Sequence, residues 1–560
     1  MSMYTTLLAS LKNTAFADVL EFLQIYNFPE IVPDNLFPPQ YSSVSDKSKY
    51  IIECTEFTHY KEANESVQSN DQLSDCIELD SVQCSEIKLS KDPFLITWNG
   101  KNDPEIPYNW SNFKKCLTVG QLLFASWISY TTSSIYVPGQ DDIEKDFNCS
   151  HVVGTLNLSM FVLGYGIAPM ILSPLSEVAF VGRQPIFVWT FFIFTFIQLG
   201  CATVNNIVGL IILRFFSGVF CSPLLTHAGA SIFDCITEKY SMIMLASWSF
   251  CTVLAPVTAP LLGACMTVAK NWRWIFWFLF FISGFATFLL LFTLPETSHT
   301  AILSRRARRI RKQTCDSRYY TIQEKIDSKM KISEFLIDTL YRPICMIVQD
   351  PIVLAFDLYL SVVYGVFNLF FEAFPIVFID VYHFSLIELG LSYMGYSVGA
   401  ATAFITVVTF TYKVVNSSRK NGTFTPEIYL LPPMYFSWFL PLALFLFGWG
   451  SAAHWIIPII SEAFFLTATE SLFQATFSYF AESYPNHIAS SYAGNGLMRC
   501  FFAFAFPLFG KAMYNKLAIK GYPVAWGSSL LGFITIALAV IPFALYKYGP
   551  ALRARSKFAD

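Results

Sequence analysis

The sequence predicts an all-α polytopic membrane protein of twelve transmembrane helices arranged as two six-helix bundles, and three observations carry that expectation. The first is composition: 54% of the 560 residues are hydrophobic and 14% are charged, against about 25% charged in soluble domains. The second is a set of twelve apolar runs of spanning length, divided six and six by a polar stretch from Pro295 to Arg342. The third is the placement of lysine and arginine, which crowd the loops on one side of those runs.

The first six runs lie at about 114–138, 152–173, 184–204, 206–231, 241–268 and 273–294. The second six lie at about 351–380, 386–411, 427–449, 454–481, 488–510 and 524–546. The domain reading is therefore a tail over 1–110, a bundle over 111–294, a basic middle loop over 295–350, a second bundle over 351–546 and a short tail over 547–560. An even number of crossings puts both termini on one side. The loops and the C-terminal tail on that side hold 22 lysines and arginines, and the opposite loops hold 6. By the positive-inside rule, both termini and the middle loop are expected in the cytosol.

In the tail, Phe16, Val19, Leu20 and Leu23 share one helical face, which predicts a short docking helix. Residues 42–92 are polar and rich in Ser, Asp and Glu, the composition of a disordered linker. Trp98-Asn-Gly-Lys-Asn-Asp-Pro-Glu-Ile-Pro-Tyr-Asn-Trp110 follows, and its aromatics and prolines suit an anchor at the membrane interface. Arg305-Arg-Ala-Arg-Arg-Ile-Arg-Lys312 could suggest nucleic-acid binding. Its place between spans predicts instead a basic helix drawn to anionic lipid, and no nucleic-acid partner. Thirteen cysteines show no metal-ligand spacing. No metal, cofactor or catalytic nucleophile is expected, and neither is an ATP-driven pump, since a phosphate-binding G-x-x-x-x-G-K-[ST] is absent. The chain is not read as an enzyme.

Polar and helix-breaking residues inside the apolar runs point to function. Leu254-Ala-Pro-Val-Thr-Ala-Pro-Leu-Leu-Gly263 places Pro256 and Pro260 in the fifth run, where each removes a backbone donor and is expected to break the helix. Ala255, Ala259 and Gly263 would admit a neighbouring helix closely. A kinked packing helix with no chemistry is the alternative. Arg214 lies about 12 Å into the fourth run and should face the interior with a partner, either as a functional charge or as a bridge between carbonyls. Glu372 in the seventh run could bind a cationic or aromatic drug or carry a proton, and Glu470 in the tenth is a further candidate for proton coupling. Tyr130, Trp248, Phe371, Phe374, Phe473, Gln474, Phe477, Asn495 and Arg499 are candidates for the wall of a midplane cavity, with bundle packing as the alternative for the aromatics. Arg183 and Asp234 could pair at the cytosolic ends of the third and fourth runs.

These motifs resemble a known family. Ala255-Pro-x-x-Ala-Pro-x-x-Gly263 is similar to the fifth-helix motif of the twelve-span drug:proton antiporters of the major facilitator superfamily, with two glycines replaced by alanine. Leu210-x-x-x-Arg214-x-x-x-Gly218 resembles that family's fourth-helix motif. Gly164-Tyr-Gly166, Glu177 and Gly182-Arg183 resemble the loop signature in which an acid and a Gly-Arg pair latch the cytosolic gate. Trp272-Arg-Trp, Leu294-Pro-Glu-Thr297 and Phe506-Pro-Leu-Phe-Gly510 extend the likeness over nearly the whole chain. The resemblance implies a major facilitator fold in the plasma membrane; the chain is read as a monomer. It also implies export of azoles, benomyl-like toxicants and other lipophilic drugs in exchange for protons, with Arg214 in proton coupling. A facilitator without proton coupling and a membrane sensor remain as alternatives.

Overall fold

The computed structural model describes residues 12–22, 92, 94–236, 238–329 and 337–558. Leu23 and all but the last residue of the polar stretch 42–92 lie outside the described residues, as do the side chains of Val19 and Leu20.

The first bundle consists of α1 (Asn112–Ser134), α2 (His151–Glu177), α3 (Arg183–Thr203), α4 (Ile207–Cys235), α5 (Glu238–Ala269) and α6 (Arg273–Thr293). The second consists of α7 (Pro351–Val381), α8 (Leu386–Lys420), α9 (Pro426–Gly450), α10 (Ile456–Ser483), α11 (Ile488–Leu517) and α12 (Ala525–Arg553). Among the described residues, α2 to α12 are the eleven helical segments long and apolar enough to cross a membrane. The first helix, α1, completes the twelve. Its 23 residues suffice in length, and seven serines and threonines lower its hydropathy. Buried against α4 and α5, those hydroxyls are hidden from lipid and return their hydrogen bonds to backbone carbonyls.

Small residues set how closely the helices approach. A Cβ at Gly218 of α4 would collide with the carbonyl of Phe161 on α2, so only glycine allows this crossing. Gly263 of α5 lies equally close to the carbonyl of Ile135, just beyond α1. The halves meet where α2 packs on α11 and where α5 packs on α8. Within the second half, Phe370, Phe374, Tyr396, Phe447 and Phe465 form an aromatic core between α7, α8, α9 and α10.

The tail-side end carries a polar clasp that corrects two expectations. The middle segment does form a basic helix, His299–Thr314, but Arg305, Arg306 and Arg309 are buried inside the protein instead of facing lipid. Arg306 holds Asp103 through two hydrogen bonds of 2.9 and 3.2 Å and reaches Glu105 at 2.8 Å. Arg305 meets Asp18 at 3.0 Å and Glu296 at 3.3 Å, and Arg309 meets Glu21 at 3.1 Å. The segment 98–110 is thus a strap over the basic helix, with Trp98 under the Arg306 guanidinium, and not an interfacial anchor. Burial works against the charge of Asp103. The Arg306 hydrogen bonds and the amides of Glu105 and Asn99 outweigh it and hold the carboxyl below its ordinary range. The tail helix Ala15–Phe22 docks beside this clasp, with Phe16 on Phe292 at 4.8 Å.

Candidate functional site

The fifth helix runs unbroken through both prolines, contrary to the expectation of a broken helix. The reason is a local repair. Pro260 has no amide to give the carbonyl one turn earlier, that of Pro256. Ser134, at the end of α1, donates its hydroxyl to that carbonyl at 2.9 Å. Thr131 donates to the carbonyl of Ala255 at 3.4 Å. Ala255 and Ala259 are fully buried, so the motif stretch is the face that α5 presents to α1.

Arg214 is fully buried on α4 and partnered by backbone alone. Its guanidinium donates to Thr132 O at 2.9 Å, Ser133 O at 3.1 Å and Asn157 O at 3.1 Å. The first two lie near the end of α1, where carbonyls run out of amide partners. Phe161 and Tyr136 lie within cation–π range of it, at 4.7 and 5.6 Å. Among the described residues no carboxylate forms an ion pair with Arg214. Of the two partner types left open by the sequence, the structure presents carbonyls.

Between the halves, residues of α5, α8 and α10 line a small open recess. Ser249, Phe250 and Val253 come from α5, Ala400, Ala403, Phe404 and Val407 from α8, and Glu470 and Gln474 from α10. Ser249 links the acid and the amide: its hydroxyl lies 3.4 Å from Glu470 and accepts from Gln474 at 3.0 Å. The sequence reading singled out Glu470 and Gln474 and missed the α8 wall. The small residues Ala400 and Ala403 on one face, followed by Phe404, were the available signal.

Beside the recess, Arg499 of α11 lies 4.9 Å from the rings of both Tyr364 and Phe473. Phe473 stands near Phe477, which packs on Tyr492 at 4.8 Å. The hydroxyls of Tyr165 and Tyr364 meet across the seam between α2 and α7. Asn495 donates to Asp357 at 2.8 Å within the second half. Tyr130 donates weakly to Leu225 O at 3.5 Å, and among the described residues the buried indole nitrogen of Trp248 has no hydrogen-bond partner. Phe374 is a correction: it is fully buried among Tyr393, Tyr396 and Phe447 and fills the second-half core, not a cavity wall. Phe371, 5% exposed, packs on Phe367 and Tyr393 in that core as well. Glu372 is separate from the recess. It lies nearer the end opposite the tail, 2.8 Å from His151 and 3.0 Å from the Thr155 hydroxyl.

At the tail-side end, Arg183 and Asp234 form the expected ion pair. Glu177 does not join it. The acid at the Gly182-Arg183 turn is Glu296, fully buried, which accepts from the amides of Arg183 and Gln184 at 3.3 Å and of Thr297 and Ser298 at 3.0 Å. Gly182, at φ +77°, turns the chain around that carboxylate. Gly166 is also reassigned: it packs on Cys500 at the contact of α2 with α11, away from the latch.

Twelve helices in two halves, with a largely apolar recess on the seam between them, make up the structure, and residues 122–507 match a sequence model of the Major Facilitator Superfamily. The chain belongs to the major facilitator superfamily. It is therefore a multi-pass membrane transporter and not an enzyme. It is 49% identical to fluconazole resistance protein 1 of Saccharomyces cerevisiae over 98% of both chains. It is 54% identical to the multidrug transporter FLR2 of Candida glabrata, over 84% of this chain and 80% of that one. The fold is similar to that of the xylose transporter XylE of E. coli in a partially occluded inward-open conformation. That likeness has a TM-score of 0.53 and 12% identity, and covers 78% of this chain and 99% of that one.

Proposed function

We propose that this transporter is a proton-coupled antiporter that exports structurally diverse lipophilic drugs, azoles and benomyl-like toxicants among them, across the plasma membrane. The relatives named for fluconazole and multidrug resistance support the substrate class. The observation that carries the reading is the recess on the seam, where aromatic and small apolar walls surround one acid, Glu470, and one amide, Gln474. Both termini and the basic middle helix face the cytosol, as the lysine and arginine bias supports.

Transport follows alternating access, with the halves rocking about the recess. Drug entering from the cytosol or the inner leaflet lies against Phe250 and Phe404, and Glu470 is the acid that exchanges the proton. Drug and proton must favour different states for coupling to arise. Arg214 acts as a positioning residue, holding α1 and α2 in register with α4 so that α5 keeps its place on α1. The carbonyl partners of Arg214 also fit a facilitator without proton coupling. Drug movement in vesicles with an imposed and then collapsed pH gradient distinguishes the two.

A further inference from the structure

A second titratable cluster joins the halves at the end opposite the tail, well away from the recess. His151, the first residue of α2, lies between two carboxylates. Its Nδ1 is 2.9 Å from Glu144 and its Nε2 is 2.8 Å from Glu372. Glu144 belongs to the short helix Gln140–Asp146 of the first half, and Glu372 to α7 of the second. Thr155 donates to the second oxygen of Glu372 at 3.0 Å. The amide of Gln140 lies 2.9 Å from Glu144, 3.1 Å from the Thr155 hydroxyl and 3.4 Å from His151. Among the described residues, Lys511 of α11 is the cation that opposes a further positive charge on His151, while Tyr136 and Cys149 face Glu144 and Tyr393 faces Glu372. The His151 side chain is 26% exposed and that of Glu372 6%, so water at this end reaches the imidazole while the acid behind it stays covered.

Counting protons separates two states of this cluster. A neutral imidazole has one N–H and presents a lone pair at its other nitrogen. Between two ionised carboxylates, one of the two contacts would then oppose lone pair to lone pair. The Nε2 contact with Glu372 is a hydrogen bond, whereas Nδ1 lies at ion-pair distance from Glu144 and beside the Gln140 amide. A neutral imidazole keeps its N–H on Nε2 for Glu372 and turns its lone pair toward Gln140 and Glu144. The doubly protonated imidazole holds one proton more and is attracted to both carboxylates.

We infer that Glu144, His151 and Glu372 form a proton-binding latch, in which uptake of one proton from water fastens α2 to α7 and closes this end of the transporter. Its loss replaces a charge-assisted hydrogen bond across the seam with a weaker neutral-donor one and favours opening. A proton that binds the closed state more tightly must shift the population toward it. Given the proposed orientation, on which this part rests, an acidic exterior seals the outer face, as the return of an emptied antiporter requires. Glu470 exchanges its proton at the recess, and the latch is a different site.

The test places full-length protein in lipid nanodiscs, where both faces meet the same pH. Spin labels go on Lys270→Cys and Ala453→Cys, exposed positions at this end of the two halves, in a chain whose own cysteines are replaced. Distances are recorded from about pH 5 to about pH 9, a span that brackets imidazole titration. The wild-type cluster should show a dominant short distance at low pH that is lost as pH rises. His151→Gln should flatten this response, and Glu372→Gln should do the same, so one well-folded variant suffices. His151→Lys, charged throughout, should hold the short distance across the range. A pH-independent distance in the wild-type cluster, or a full response in a folded His151→Gln sample, overturns the latch. Neither orientation nor transport enters this measurement, so its failure is distinct from failure of the antiporter reading.

Discussion

Ser134 of α1 donates to the carbonyl of Pro256 on α5 at 2.9 Å, taking the bond that Pro260 cannot make. The antiporter-type motif is thus a two-helix device. Pro260→Ala supplies an amide to the same carbonyl and makes Ser134 redundant. In thermal unfolding of purified protein, Ser134→Ala should cost about 0.5–1.5 kcal/mol in the native background and close to nothing beside Pro260→Ala. Equal losses in both backgrounds would show that the bond does not depend on the proline. Pro256→Ala and Pro260→Ala should reach the membrane and export drug poorly. Normal export by both would reduce the motif to packing.

Arg214 gives three hydrogen bonds to carbonyls of α1 and α2. Arg214→Ala strands three acceptors and should lower the unfolding temperature as well as transport. Arg214→Lys keeps the charge without the planar fork, so intermediate values of both are expected. Wild-type thermal stability in Arg214→Ala, measured on the same sample as transport, would exclude the positioning role.

The clasp is open to a pH test. Asp103 and Glu105 are held below the ordinary carboxylate range of about 4, by partners that outweigh burial: chiefly Arg306 for Asp103, and Lys12 together with Arg306 for Glu105. A lowered folded-state value means stability that is present at neutral pH and lost as pH falls through that value. Hydrogen exchange in 98–110 should therefore rise steeply below about pH 4 and stay flat above about pH 5. Asp103→Asn should weaken the strap by roughly 1.5–3 kcal/mol at pH 7. Unchanged exchange in that variant would mean the strap is held by something other than Arg306.

The recess predicts a steric block. Ala403 is 3% exposed and lines the α8 wall. Ala403→Leu fills that wall and should weaken drug binding to purified protein by about tenfold, or 1.4 kcal/mol. An unchanged dissociation constant would place the drug elsewhere.

The helices were legible because bilayer thickness fixes their length. The apolar run 273–294 became α6 at Arg273–Thr293, and 351–380 became α7 at Pro351–Val381. Arg214 was legible as a buried charge, but its carbonyl partners were not, since a backbone group leaves no mark in sequence. Arg305, Arg306 and Arg309 misled for the opposite reason. Apart from Glu296, their acids are remote in sequence: Asp103 and Glu105 in a segment that looked like a membrane anchor, and Asp18 and Glu21 in the tail helix. The loop signature points to Glu177 as the gate acid, whereas Glu296 is the carboxylate that reaches the Gly182-Arg183 turn in space. His151 escaped notice at the start of a helix, where an isolated histidine reads as solvated. Only the fold brings Glu372 to it from more than two hundred residues away.

Proton coupling through Glu470 is the central claim, and pH-driven drug movement in proteoliposomes tests it most directly. Purified transporter is reconstituted, a pH gradient is imposed, azole movement is followed, and the gradient is collapsed with a protonophore. Wild-type protein should drive the azole against its concentration until the collapse and then let it run back, while Glu470→Gln should bind drug and accumulate none. Accumulation by Glu470→Gln equal to wild type, or wild-type movement indifferent to the collapse, would contradict the account.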